Sequence, residues 1–172
     1  MRLILNWINA HQNALALVIV CSVVAIMYFW GEKNKKIVRL GTIIYVFLIM
    51  FKTVFSRTEG ITTINLELGW SYKAVFNGTP GMISQIYLNI MLFVPLGCMI
   101  YQSKPQKLRR ILMKGFLLSL CIELCQLVLK RGMFEWDDII NNSLGCLIGG
   151  VCGNVVQSVR RINQLHKSHG RE

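Results

Sequence analysis

Apolar side chains along this chain fall in long unbroken runs, neither alternating as in a half-buried strand nor confined to one helical stripe. Five such runs occur, at about 13–30, 37–55, 82–101, 111–129 and 139–159. Each has about 20 residues, enough at a rise of ~1.5 Å per residue to cross a hydrocarbon core of roughly 30 Å. The pattern predicts an all-α, polytopic membrane bundle of about five transmembrane helices, forming a single domain over 1–172 with a basic tail at 160–172. The first run reads as a retained span, because its basic residues follow the apolar core and no small-residue cleavage pattern comes after it. Arg39 and Lys52, near the ends of the second run, have stems long enough to reach the interface. Pro95 and Gly97 in the third are tolerated in a membrane bundle, with a kink expected. Gly145, Gly149, Gly150 and Gly153 predict a close-packing stripe on the fifth.

Composition strengthens this reading. The chain is 53% hydrophobic and only 16% charged, against the roughly 25% charge of a soluble domain. Three basic clusters, at 31–39, 102–114 and after 159, carry between them the whole net charge of +11. Five spans put all three on one face of the membrane and leave the other face near neutral. The positive-inside rule then predicts an external N-terminus and a cytoplasmic C-terminus. The same distribution argues against nucleic acid, which calls for one continuous basic face with stacking aromatics. All six cysteines lie within apolar runs, where thiols act as small apolar fillers, so neither disulfides nor a zinc site is expected.

An ionisable residue deep in an apolar helix is a functional candidate by default. Glu123 is the clearest, and Ser119 and Gln126 share its helix face. The connection 130–138 supplies Lys130, Arg131 and Glu135 and ends in Asp137 and Asp138, with Asn141 and Asn142 one turn into the fifth span. Asn89 on the third span, and Arg57 and Glu59 after the second, fall at the same predicted membrane face. These positions predict an outward-opening polar pocket between the third, fourth and fifth spans. Residues 60–81 would roof it, with Trp70, Tyr72, Phe76 and the turn Asn77-Gly78-Thr79-Pro80-Gly81. Purely structural readings stand beside this one. Glu123 and Arg131 would form a register-fixing ion pair, Asp137 would cap its own helix, and the asparagines would bind helices together.

The stretch Asn89-Ile90-Met91-Leu92-Phe93-Val94-Pro95-Leu96-Gly97 resembles the third-helix motif of the VanZ-like family. Ser119, Glu123, Gln126, Arg131-Gly132, Phe134, Asp137-Asp138, Asn141-Asn142 and Gly145 resemble that family's second block, in order and spacing. Glu135 stands where Asp is common, and the stretch Asn65 to Trp70 lacks a Pro-Phe often seen in relatives. The family takes its name from a protein associated with resistance to teicoplanin, a lipoglycopeptide that acts on lipid-linked cell-wall precursors. The resemblance implies a multi-pass protein of a bacterial plasma membrane, without supplying a reaction.

Two function classes follow. One is a binding protein whose pocket holds membrane lipid, a lipid-linked envelope precursor or a glycopeptide, with Arg131 pairing to phosphate or carboxylate. The other is a membrane-embedded enzyme in which Glu123 acts as acid or base, Arg131 stabilises developing negative charge and Asp138 assists. No cofactor is implied, and a divalent cation at Asp137 and Asp138 lacks an evident ligand set. A transporter is disfavoured by the absence of an internal repeat. The sequence leaves the oligomeric state open.

Overall fold

The computed structural model describes residues 34–55 and 60–169. The expected first span at 13–30 lies outside these residues, as do Arg57 and Glu59. Helix α1 (Lys35–Met50) runs directly into a π-helical turn (Phe51–Phe55). There follow strand β1 (Ile61–Asn65), short helix α2 (Trp70–Phe76), α3 (Met82–Ser103), α4 (Leu108–Val128), strand β2 (Arg131–Glu135) and α5 (Trp136–His169). Among the described residues four helical segments are long and apolar enough to cross a membrane: Lys35–Phe55, Met82–Ser103, Leu108–Val128 and Trp136–His166. They match the second to fifth predicted spans. The fifth differs at its end, continuing helically to His169 where a separate tail was expected after 159.

Inter-helix contacts give the directions. The Cβ of a residue replacing Gly145 would meet the Ile90 carbonyl oxygen at 2.1 Å, and at Gly149 the Val94 carbonyl oxygen at 1.9 Å. So α3 and α5 run parallel in backbone contact, with Gly145, Gly149 and Gly153 of the expected stripe as their seam, while Gly150 faces Ile111 and Leu108 of α4. Ser119 meets Asn142, and Gly115 packs on Cys146. Helix α4 is therefore antiparallel to α5, as alternating spans require. Helix α1 packs on α3 in the antiparallel sense, with Gly41 near Met99 and Tyr45 near Leu92. Pro95 stays inside an unbroken α3. The Leu92 carbonyl, one residue past the Met91 carbonyl whose donor Pro95 removes, accepts a hydrogen bond from the Tyr45 hydroxyl at 2.9 Å and ties α1 to α3.

These directions sort the chain by polarity. The described basic clusters (Lys35, Lys36 and Arg39; Lys104 to Lys114; Arg160 and Arg161) collect at one end. The end of α1, both strands, α2 and the first turns of α3 and α5 collect at the other, with the last turns of α4. Arg160 also has a local task, since its Nη1 donates to Gln102 Oε1 at 3.4 Å.

Two elements at the polar end escaped the sequence reading, which treated 60–81 as a roof and 130–138 as a connection. β1 and β2 pair in parallel, from Ile61 opposite Arg131 to Asn65 opposite Glu135. The β-branched run Ile61-Thr62-Thr63-Ile64 was the available signal. Its partner lies beyond two whole spans, and only tertiary structure brings them together.

Candidate functional site

Helix α4 delivers three polar side chains to the bundle interior. Ser119, Glu123 and Gln126 are each at most 1% exposed, on the one face that the three- and four-residue spacing predicts. None reaches lipid, because an unpaired carboxylate or amide in hydrocarbon costs several kcal/mol, on the order of a lost hydrogen bond or more. Glu123 Oε2 accepts the Glu135 backbone N–H at 3.0 Å, which ties the end of β2 to α4. Gln126 Nε2 donates to the Thr53 carbonyl at 2.8 Å. That carbonyl belongs to the π-helical turn, whose ladder is out of α-helical register. Ser119 Oγ accepts from Asn142 Nδ2 at 2.8 Å.

Helix α5 supplies the facing set. Asp137, Asp138, Asn141 and Asn142 are all buried in its first two turns. Asp137 Oδ1 accepts the Gly69 N–H at 2.7 Å, and its Oδ2 accepts the Ser71 N–H at 2.9 Å and the Ser71 hydroxyl at 2.6 Å. Gly69 is the N-cap residue of α2 and has no side chain to cap with. Asp137 therefore does cap a helix, but a different one from the helix it opens: it satisfies the free N–H groups of α2 from across the site. Asp138, one residue on, turns to α3 and accepts from Asn89 Nδ2 at 2.6 Å. Asn141 Oδ1 accepts the Tyr72 hydroxyl. Partial burial and the Asp137 carboxylate raise the Tyr72 phenol above its usual pKa of 10.0, so it remains a donor at neutral pH.

Of the ten residues expected at the pocket, the structure gathers Asn89, Ser119, Glu123, Gln126, Asp137, Asp138, Asn141 and Asn142 at one end of the bundle. Arg57 lies outside the described residues. Arg131 begins β2 and Glu135 ends it, their backbones a strand length of roughly 13 Å apart at ~3.3 Å per residue. Arg131 Nη1 donates to the Phe55 carbonyl at 2.9 Å, and its guanidinium lies 6.0 Å from the Phe55 ring centroid. The sequence reading missed Ser71, which donates to Asp137, and Gln85, which donates to Glu135 Oε2 at 3.3 Å. Gln85 stands four residues before Asn89 on one helix face and was findable by spacing.

As for a divalent cation, both Asp137 oxygens already face N–H and O–H donors, while Asp138 points to α3. Among the described residues no three carboxylate, thiol or imidazole groups converge on a metal-sized point. Two apolar surface grooves lie elsewhere, one on the outer face of α4 (Leu117, Leu120, Cys121, Leu124) and one on α1 and the π-helical turn (Phe47, Phe51). Four atoms at this end are left over. Asn141 Nδ2, Asn142 Oδ1, Gln126 Oε1 and the Trp70 Nε1 at the start of α2 are buried and have no hydrogen-bond partner among the described residues.

Comparison with known proteins adds one finding. A family model described as VanZ/LLP1 matches residues 15–157. No curated protein matches the chain, and no solved structure does.

Proposed function

The chain belongs to the VanZ/LLP1 family of membrane proteins, and from that premise we propose that its polar end binds the headgroup of a lipid, a lipid-linked cell-wall precursor or a glycopeptide at the outer face of a bacterial plasma membrane. The reading is carried by the leftover Asn141 Nδ2 and Asn142 Oδ1. One donor and one acceptor, on consecutive residues of α5 and each costing free energy while unpaired, are each of a kind that a hydroxyl or an amide satisfies. Those are the groups that sugar- and peptide-bearing headgroups offer. Asn142 lies six residues beyond Trp136, about 9 Å along the helix axis, a depth that a headgroup reaches from the interface. The external assignment follows from the basic clusters at the other end.

The enzymatic alternative assigns acid–base chemistry to Glu123. It is the weaker reading, because Glu123 Oε2 already accepts the Glu135 N–H and that bond holds two elements together.

Native mass spectrometry of protein released directly from its membrane tests the proposal. A phosphate- or sugar-bearing lipid adduct is expected on the wild type and is expected to be lost from the Asn141→Leu/Asn142→Leu variant. A wild type without any adduct, or an adduct that survives both substitutions, ends the binding reading. Glu123→Gln separates the two classes. Binding predicts that this variant keeps the adduct and that neither protein forms product. Enzymatic action predicts turnover by the wild type that the variant lacks.

A further inference from the structure

Helix α2 is seven residues long and buries a single side chain, Ser71. Isolated helices below about 12–15 residues are marginal in water, and packing in the bundle contributes little here. The Asp137 cap accounts for its start, but its outward face remains unexplained. Tyr72 and Phe76 are four residues apart and share that face, with Phe76 89% exposed. The segment leading into α2 repeats the theme at strand spacing. Ile64, Leu66 and Leu68 are all exposed, the last two at 63%, while Glu67 between them points elsewhere and pairs with Lys73. Ile83, in the first turn of α3, is 69% exposed, so the apolar series runs on into the outer surface of a membrane span.

This is the composition of an interfacial segment, with large exposed apolar side chains beside a solvated ion pair that flanks them. It is also a poor surface to leave in water, where contiguous exposed apolar groups mark a contact. Ile83, and location at the polar end of the four described spans, point to the bilayer itself as the covering phase.

We propose that residues 64–76 form a membrane-seated clamp: Leu66, Leu68, Tyr72 and Phe76 enter the headgroup–acyl boundary while Glu67 and Lys73 face water. Seated in this way, the segment presses Ser71 onto Asp137 and the Tyr72 hydroxyl onto Asn141, so the state of the leaflet bears directly on the polar site. The inference rests on the spans and does not depend on what Asn141 and Asn142 bind.

Two measurements on the full chain test it. In the first, the native cysteines are replaced and single cysteines are introduced as Leu66→Cys, Glu67→Cys, Lys73→Cys and Phe76→Cys. Each is labelled with a fluorophore and reconstituted in phosphatidylcholine–phosphatidylglycerol vesicles. Probes at 66 and 76 are expected to be quenched by brominated acyl chains and shielded from aqueous iodide, with the reverse at 67 and 73. Equal iodide quenching at all four positions overturns the proposal, and so does cross-linking of position 76 to a second copy. The second keeps the native cysteines and follows hydrogen exchange of residues 69–72 in lipid nanodiscs. Phe76→Asp with Leu66→Asp is expected to lose amide protection there while the spans stay protected. Protection equal to wild type overturns the clamp even if the cysteine-free chain fails to fold.

Discussion

Asp137, at the start of the last span, receives both the amide and the hydroxyl of Ser71, sixty-six residues earlier in the chain, on a single carboxylate oxygen. This relationship places α2 over the site, and it turns a residue that looked like an ordinary helix opener into a bridge between two elements.

Removing that bridge loosens α2 first. Asp137→Ala leaves the Gly69 and Ser71 N–H groups unpaired and is expected to cost about 2–4 kcal/mol, since hydrogen bonds to a charged group are worth ~1.5–3 kcal/mol each and do not add fully. Asp137→Asn, which keeps one good acceptor, is expected to lose less. Hydrogen exchange across 69–72 measures both variants, and unchanged protection in Asp137→Ala would refute the cross-site cap.

Asn89 and Asp138 join α3 to α5 through one charge-assisted bond of 2.6 Å. A double-mutant cycle with Asn89→Ala and Asp138→Ala is expected to give a coupling of roughly 1–3 kcal/mol, above the ~0.6 kcal/mol average for polar pairs within membrane bundles. Reversible unfolding in mixed micelles supplies the four free energies. A coupling indistinguishable from zero would mean that the pair only shares space.

The α3–α5 seam sets a steric limit. Gly149→Ala places a methyl group 1.9 Å from the Val94 carbonyl oxygen, which forces the backbones apart, and a loss of about 1–3 kcal/mol or failure to accumulate is expected. Gly41→Ala is the matched control, because its new methyl meets only the flexible end of Met99 at 3.3 Å. Equal stability of the two variants would contradict the parallel contact.

Orientation is tested by labelling. Thr79 and Pro105 are both exposed and lie at opposite ends of the bundle. In a cysteine-free background, Thr79→Cys is expected to react with an impermeant thiol reagent added to intact cells, and Pro105→Cys only after permeabilisation. The reverse result would put the polar site in the cytoplasm. The connection 132–136 looks equally suitable in the sequence, but Phe134 and Glu135 are buried in the fold.

Much of the site was readable along the chain, because hydrocarbon is an unforgiving solvent. Glu123, Gln126, Asn89 and Asn142 stand out where any polar group must find a protein partner, and helical periodicity says which of them share a face. Their partners were less readable. Charge alone suggests Arg131 for Glu123, but it does not point to the Glu135 amide that Glu123 accepts or to the Phe55 carbonyl that takes the Arg131 guanidinium. Asp137 looked like the cap of its own helix, while its acceptors face α2. Charge and spacing report which groups must be satisfied but do not say by which element.

The sequence by itself determined the solvent, the spans that fall among the described residues and the polar end of the bundle, since each follows from local runs of side chains measured against a bilayer's thickness and polarity. Tertiary structure alone decided the parallel pairing of β1 with β2, the cap that Asp137 places on α2, and which buried amide atoms are left without a partner among the described residues. These depend on contacts between segments separated by whole spans, and hydrogen-bond geometry over such separations is set by how helices pack at glycine seams, which no local pattern encodes.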